Sequence, residues 1–87
     1  MSRSEPPKEV LTALQLTSKQ FHISLDLADA PAGLTTAVID KQYSPSSAEI
    51  TELLARGFIA QRNGYFHTTT MASGLMKAIA NYLDATS

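Results

Sequence analysis

The sequence predicts a small, mainly α domain of the α+β class, in which a two-stranded β-hairpin interrupts a series of helices. Three observations predict it. Apolar residues recur at helical spacing in several segments of the 87-residue chain. Asn63-Gly64 sits between two short runs of strand-forming residues. Helix-like sequence lies on both sides of that turn.

Met1–Pro7 is polar, carries two prolines and reads as a mobile tail, with residues 8–87 as the domain. Pro6 and Pro7 suit a helix start. Val10, Leu11, Leu14 and Leu16 then follow at roughly one-turn spacing. Thr17-Ser18-Lys19-Gln20 has the form of a capping box and opens a second helix over about 18–28. Phe21, Leu25 and Ala28 form its stripe, with Ile23 and Leu27 alongside. Pro31 and Gly33 in "DAPAG" stop it.

"LTTAVIDKQY" is a short third helix, capped by Thr35 or Thr36, with Val38 and Ile39 as apolar contacts. "SPSSAEITELLARG" is a fourth. Either Ser44 with Pro45 at the first position or the box Ser46-x-x-Glu49 starts it. Ile50, Leu53 and Leu54 form its buried stripe, and Gly57 closes it. In the hairpin, "FIAQR" and "YFHTT" flank the turn. Alternation places Phe58 and Ala60 on one face, Ile59 and Gln61 on the other. Thr70 caps the final helix, along which Met71, Leu75, Met76, Ile79, Tyr82 and Leu83 share a side.

This order of helices followed by a tight hairpin is that of a winged helix-turn-helix, with the third and fourth helices as the helix pair. "LTSKQFHISLDLAD" resembles the opening and second helix of MarR-type regulators. "SPSSAEITELLARGFIAQR" is similar to their recognition helix and its Leu-x-x-x-Gly-(Leu/Phe)-Ile ending. "TTTMASGLMKAI" resembles the start of their C-terminal helix. The resemblance spans about 16–83 and implies a winged fold and double-stranded DNA as partner. The chain departs from the family in its shorter flanking helices and in a wing reduced to Asn-Gly without an Asp-x-Arg motif.

On that reading the DNA-binding candidates are Lys41, Ser44, Ser46, Ser47, Thr51, Arg56, Arg62 and Asn63. Serine and threonine bond phosphates or base edges, and an arginine at the wing tip enters a minor groove. Glu49 and Glu52 oppose this, as does a net charge of −1. The rival reading is therefore a winged helix that binds a basic protein partner and no DNA. Surplus apolar surface at the chain ends suggests a homodimer through Val10, Leu14, Met76, Ile79, Tyr82 and Leu83, joined by Leu11 and Met71.

Other classes find little support. The absence of cysteine removes disulfides and thiolate chemistry. His22 and His67 have no convergent ligands at metal spacing, so neither metal nor cofactor is expected. No serine has a plausible base, so no enzyme is expected. Without an apolar run of membrane-spanning length or a signal-peptide pattern, the expected location is cytoplasmic, with no membrane partner.

Overall fold

The structure, a computed structural model, describes residues 7–86, with the Thr86 side chain excepted. Of the expected tail at residues 1–7, all but Pro7 lies outside the described residues, as does the final Ser87. The elements are α1 (Lys8–Leu14), α2 (Ser18–Ala28), β1 (Leu34–Thr35), α3 (Thr36–Tyr43), α4 (Ser47–Ala55), β2 (Ile59–Arg62), β3 (Tyr65–Thr68) and α5 (Thr70–Thr86). The fold is mainly helical with a small antiparallel sheet of order β1-β3-β2.

Helix α1 ends at Leu14, two residues short of the last apolar residue of the predicted series, Leu16. Gln15 turns left-handed at φ 57°, and the Leu16 amide donates back to the Leu11 carbonyl. Leu16 thus leaves the helix and enters the core. Helix α2 follows the predicted bounds and the predicted capping box. Thr17 Oγ1 accepts from the Gln20 amide (3.1 Å), and Gln20 Oε1 accepts from the Thr17 amide (3.0 Å). The box satisfies two amide groups that lack helical partners. Phe21, Ile23, Leu25 and Leu27 are buried, and α2 packs on α3, α4, α5 and β3.

The sheet has three strands where two were predicted. Leu34 pairs with Phe66 and Thr35 with Tyr65. Two residues are too short to show a strand period, so only their pairing with β3 reveals them. Thr35 then caps α3 by accepting from the Val38 amide. Ile39 is buried, but Val38 is 45% exposed, against expectation. Consecutive helical residues diverge by about 100°, and one of this pair faces the core.

Of the two predicted starts of α4, the one at Ser46 gives the position, but its capping box does not form. The helix begins at Ser47 rather than Pro45, and Ser46 sits at the N-cap without a side-chain capping bond. Ser46 instead donates both its amide and its hydroxyl to Asp40 Oδ1 on α3. Ile50 and Leu53 are buried, whereas Leu54 is 38% exposed, so the stripe is narrower than predicted. The end of α4 matches expectation. Gly57, at φ 75°, and Phe58 donate their amides to the carbonyls of Leu54 and Leu53.

Phe58 and Ile59 are both buried. The simple alternation fails there because Phe58 belongs to the closing turn of α4, not to the strand. Beyond it the hairpin forms as predicted, with Arg62 opposite Tyr65 and positive φ at Asn63 and Gly64. Thr69, not Thr70, caps α5. Its hydroxyl accepts from the Ala72 amide and donates to the Gly57 carbonyl. The α5 core stripe is Ala72 and Met76, flanked by the half-buried Leu75, Ile79, Ala80 and Leu83. Met71 and Tyr82 are mostly exposed, 64% and 57%.

Gly64 sits at φ +80° with open space where a Cβ would point, so substitutions there read backbone strain alone. Gly64→Val is expected to lower unfolding free energy by about 1–3 kcal/mol in urea titration. Gly64→Asn, which tolerates the left-handed region, is expected to keep most of it.

Candidate nucleic-acid interface

The helix pair and the hairpin carry the predicted contacts. The turn between α3 and α4 is held by side chains. Asp40 binds Ser46, and Lys19 Nζ donates to the Pro45 carbonyl at 2.9 Å. Around this turn Lys41, Ser44 and Ser47 are exposed. Thr51 is exposed one turn along α4, and its hydroxyl donates to the Ser47 carbonyl. Its oxygen remains an acceptor. Arg62 and Asn63 are exposed at the hairpin tip.

Two predicted contact residues are spent elsewhere. Ser46 is buried and committed to Asp40, so it offers nothing to a ligand. Arg56 donates to the carbonyls of Leu14 and Gln15, each at 2.5 Å, and its guanidinium lies 4.9 Å from the Phe58 ring centroid. Carbonyls at a helix C-terminus lack helical donors. Arg56 supplies them at the end of α1, joining two elements distant in sequence. No local pattern signals such a contact.

The electrostatic surface of α4 is mixed. Glu49 is half-buried in its first turn and Glu52 is exposed on the next. An acid in the first turn of a helix stabilises the helix dipole. The same charge opposes a phosphate approaching that end. Cationic contact therefore falls to Lys41 beside the turn and Arg62 on the hairpin.

The candidate dimer residues also separate. Met76 is wholly buried in the chain's own core, which removes it from any contact surface. Leu14, Ile79 and Leu83 pack partly against that core, and Val10 is half-buried. Tyr82 is exposed, and Met71 joins it. Along α5, Met71, Leu75, Ala78 and Tyr82 recur at i, i+4, i+7 and i+11, one apolar stripe beside the buried one. Sequence periodicity merges the two stripes because they lie about 100° apart.

From the sequence alone, Tyr65 has no assigned role and His67 is weighed only as a metal ligand. They share a sheet face with Arg62, as the pairings Arg62–Tyr65 and Ala60–His67 require. The Asn63-Gly64 turn alone sets this register, so the signal was present. Among the described residues, no three His, Asp or Glu side chains converge as a metal site, and no helix is long and apolar enough to cross a membrane. Comparisons with protein-family models, curated proteins and solved structures find no match to the chain.

The position of Arg56 makes a structural outcome the expected one. Arg56→Ala should lower stability by about 1–3 kcal/mol, since a charge-assisted hydrogen bond contributes on that scale. Arg56→Lys should recover only part, because an ammonium lacks the planar fork. Urea unfolding followed by circular dichroism reads both. An Arg56→Ala variant with wild-type stability and weakened ligand binding would return Arg56 to the interface.

Proposed function

We propose that the chain is a winged-helix DNA-binding transcriptional regulator of MarR-like order, acting in the cytoplasm as a homodimer on double-stranded DNA. The observation that carries this reading is the sheet order β1-β3-β2. The short strand between α2 and α3 zips onto β3, so the hairpin is tied to the helix pair rather than projecting freely. Exposed Arg62 and Asn63 then stand at its tip. In this mechanism α4 enters the major groove with Ser47 and Thr51 toward base edges. Lys41 and Ser44 meet the backbone beside it, and Arg62 contacts a phosphate or the minor groove.

Self-association belongs to the same proposal. One copy carries a net charge of −1, and two copies double the few cations placed for contact. The exposed Met71–Tyr82 stripe is the surface for it. The second reading, a protein-interaction module, is favoured by one feature. The outward side of α4 carries Glu52 and the partly exposed Leu54, which suit a basic, partly apolar partner better than phosphate.

Duplex titration at several salt concentrations separates these roles. Arg62→Ala should weaken binding to all duplexes by a similar factor and reduce the salt slope by about 0.9 per subunit. Ser47→Ala and Thr51→Ala should instead change which sequences are preferred. A wild type without salt-dependent binding to any duplex at low ionic strength removes the DNA reading and leaves the interaction module.

Sedimentation addresses the dimer. The wild type should sediment as a dimer, and Tyr82→Glu should shift it toward monomer with an unchanged circular dichroism spectrum. A wild type that stays monomeric at high micromolar concentration rules the dimer out.

A further inference from the structure

The two faces of the sheet differ in kind. Cross-strand partners share a face, and faces alternate along a strand. Leu34, Phe66 and Ile59 therefore point one way, into the core beneath α2 and α5. Thr35, Tyr65 and Arg62 form a row on the other face, followed by the row of His67 and Ala60.

This second face is open and chemically specific. Tyr65 is 44% exposed, Arg62 and Ala60 are exposed, and Thr35 and His67 are half-buried. The His67 ring lies against bare backbone at Gly33, where a Cβ would fall 2.7 Å from the ring carbon Cε1 and 2.9 Å from Nε2. Gly33, at φ +85°, thus lets the ring lie across the end of β1. Gly33 beside the ring and Ala60, the cross-strand partner of His67, carry little or no side chain. The strands contain no carboxylate, and Arg62 lies directly opposite Tyr65.

We infer that this open sheet face is a binding platform for unpaired DNA, with Tyr65 and His67 each stacking one base and Arg62 holding the adjoining phosphate. Tyr65 and His67 are two residues apart on the central strand, about 7 Å along it. That separation suits bases splayed apart and stacked on protein rings rather than on each other. Stacking accepts any base, because every base has a π-face, and the arginine supplies charge complementary to the backbone. A planar ring pair without a cation would suit an apolar partner equally. The cation beside Tyr65 and the absence of acid on the strands select a polyanion. The platform does not depend on duplex binding by α4.

The test compares three labelled probes by fluorescence anisotropy at low ionic strength. They are a thymidine oligomer of about 12 nucleotides, an abasic phosphodiester of equal length and charge, and a duplex. The wild type should bind the thymidine oligomer more tightly than the abasic chain. Tyr65→Ala should weaken the thymidine oligomer by roughly 5- to 150-fold and leave the abasic chain unchanged. Tyr65→Phe should keep the wild-type affinity, and Arg62→Ala should weaken both chains.

Equal affinity of the wild type for the thymidine and abasic chains overturns the platform, and so does a lack of binding to either. That comparison needs no variant, so misfolding cannot mask it. Wild-type stability and affinity in Tyr65→Ala also overturns it. Duplex binding with no preference for bases over the abasic chain leaves the duplex reading standing alone. Base-dependent binding of the single strand without duplex binding leaves only the platform.

Discussion

Strand β3 is hydrogen-bonded on both sides, to β1 and to β2, and its Phe66 is buried against the helices. The surrounding elements take their positions from this strand. Pairing with β1 places Thr35, and Thr35 caps α3. Pairing with β2 places the end of α4, because Phe58 is both the last residue of the helix-closing turn and the neighbour of Ile59. The far end of β3 runs into Thr69, which caps α5 and donates to the Gly57 carbonyl. A two-stranded ribbon is marginal in water. Here the third strand and the helices beneath it hold the ribbon in one place.

Polar side chains do the joining between elements, and this decides which of them remain for function. Asp40 with Ser46 holds α3 to the start of α4. Lys19 reaches the Pro45 carbonyl, and Arg56 closes the end of α1. A domain of this size buries a modest fraction of its surface, so such contacts weigh more than in a larger protein. Arg56, read from the sequence as a phosphate contact, therefore serves the fold, as Lys19 does. Arg62 and Lys41 are left at the exposed edges, which makes the placement of charge more informative than its sum.

The same division separates the two proposed surfaces. The turn and outer side of α4 present hydroxyls and carboxylates, suited to base edges or to a basic partner. The open sheet face presents rings beside a cation, suited to exposed bases. Arg62 stands where both surfaces meet, at the end of β2 and beside Tyr65.

Local chemistry made much of the fold legible in the sequence. The Thr17–Gln20 box, the Gly57 helix end and the Asn63-Gly64 turn each complete their hydrogen bonds or dihedrals within a few residues, and each forms as read. The bounds of α2 and the pairing of Arg62 with Tyr65 follow from them. Tertiary structure decided whatever depends on a distant partner. Leu34 and Thr35 become a strand because β3 lies beside them. Ser46 abandons its own helix for Asp40, and Arg56 abandons the ligand surface for the carbonyls of α1. Met76 rather than Met71 enters the core, because the side of α5 that meets α2 is selected by packing. Periodicity specifies that a helix has an apolar side, but two apolar stripes on one helix are distinguished only by what packs against them.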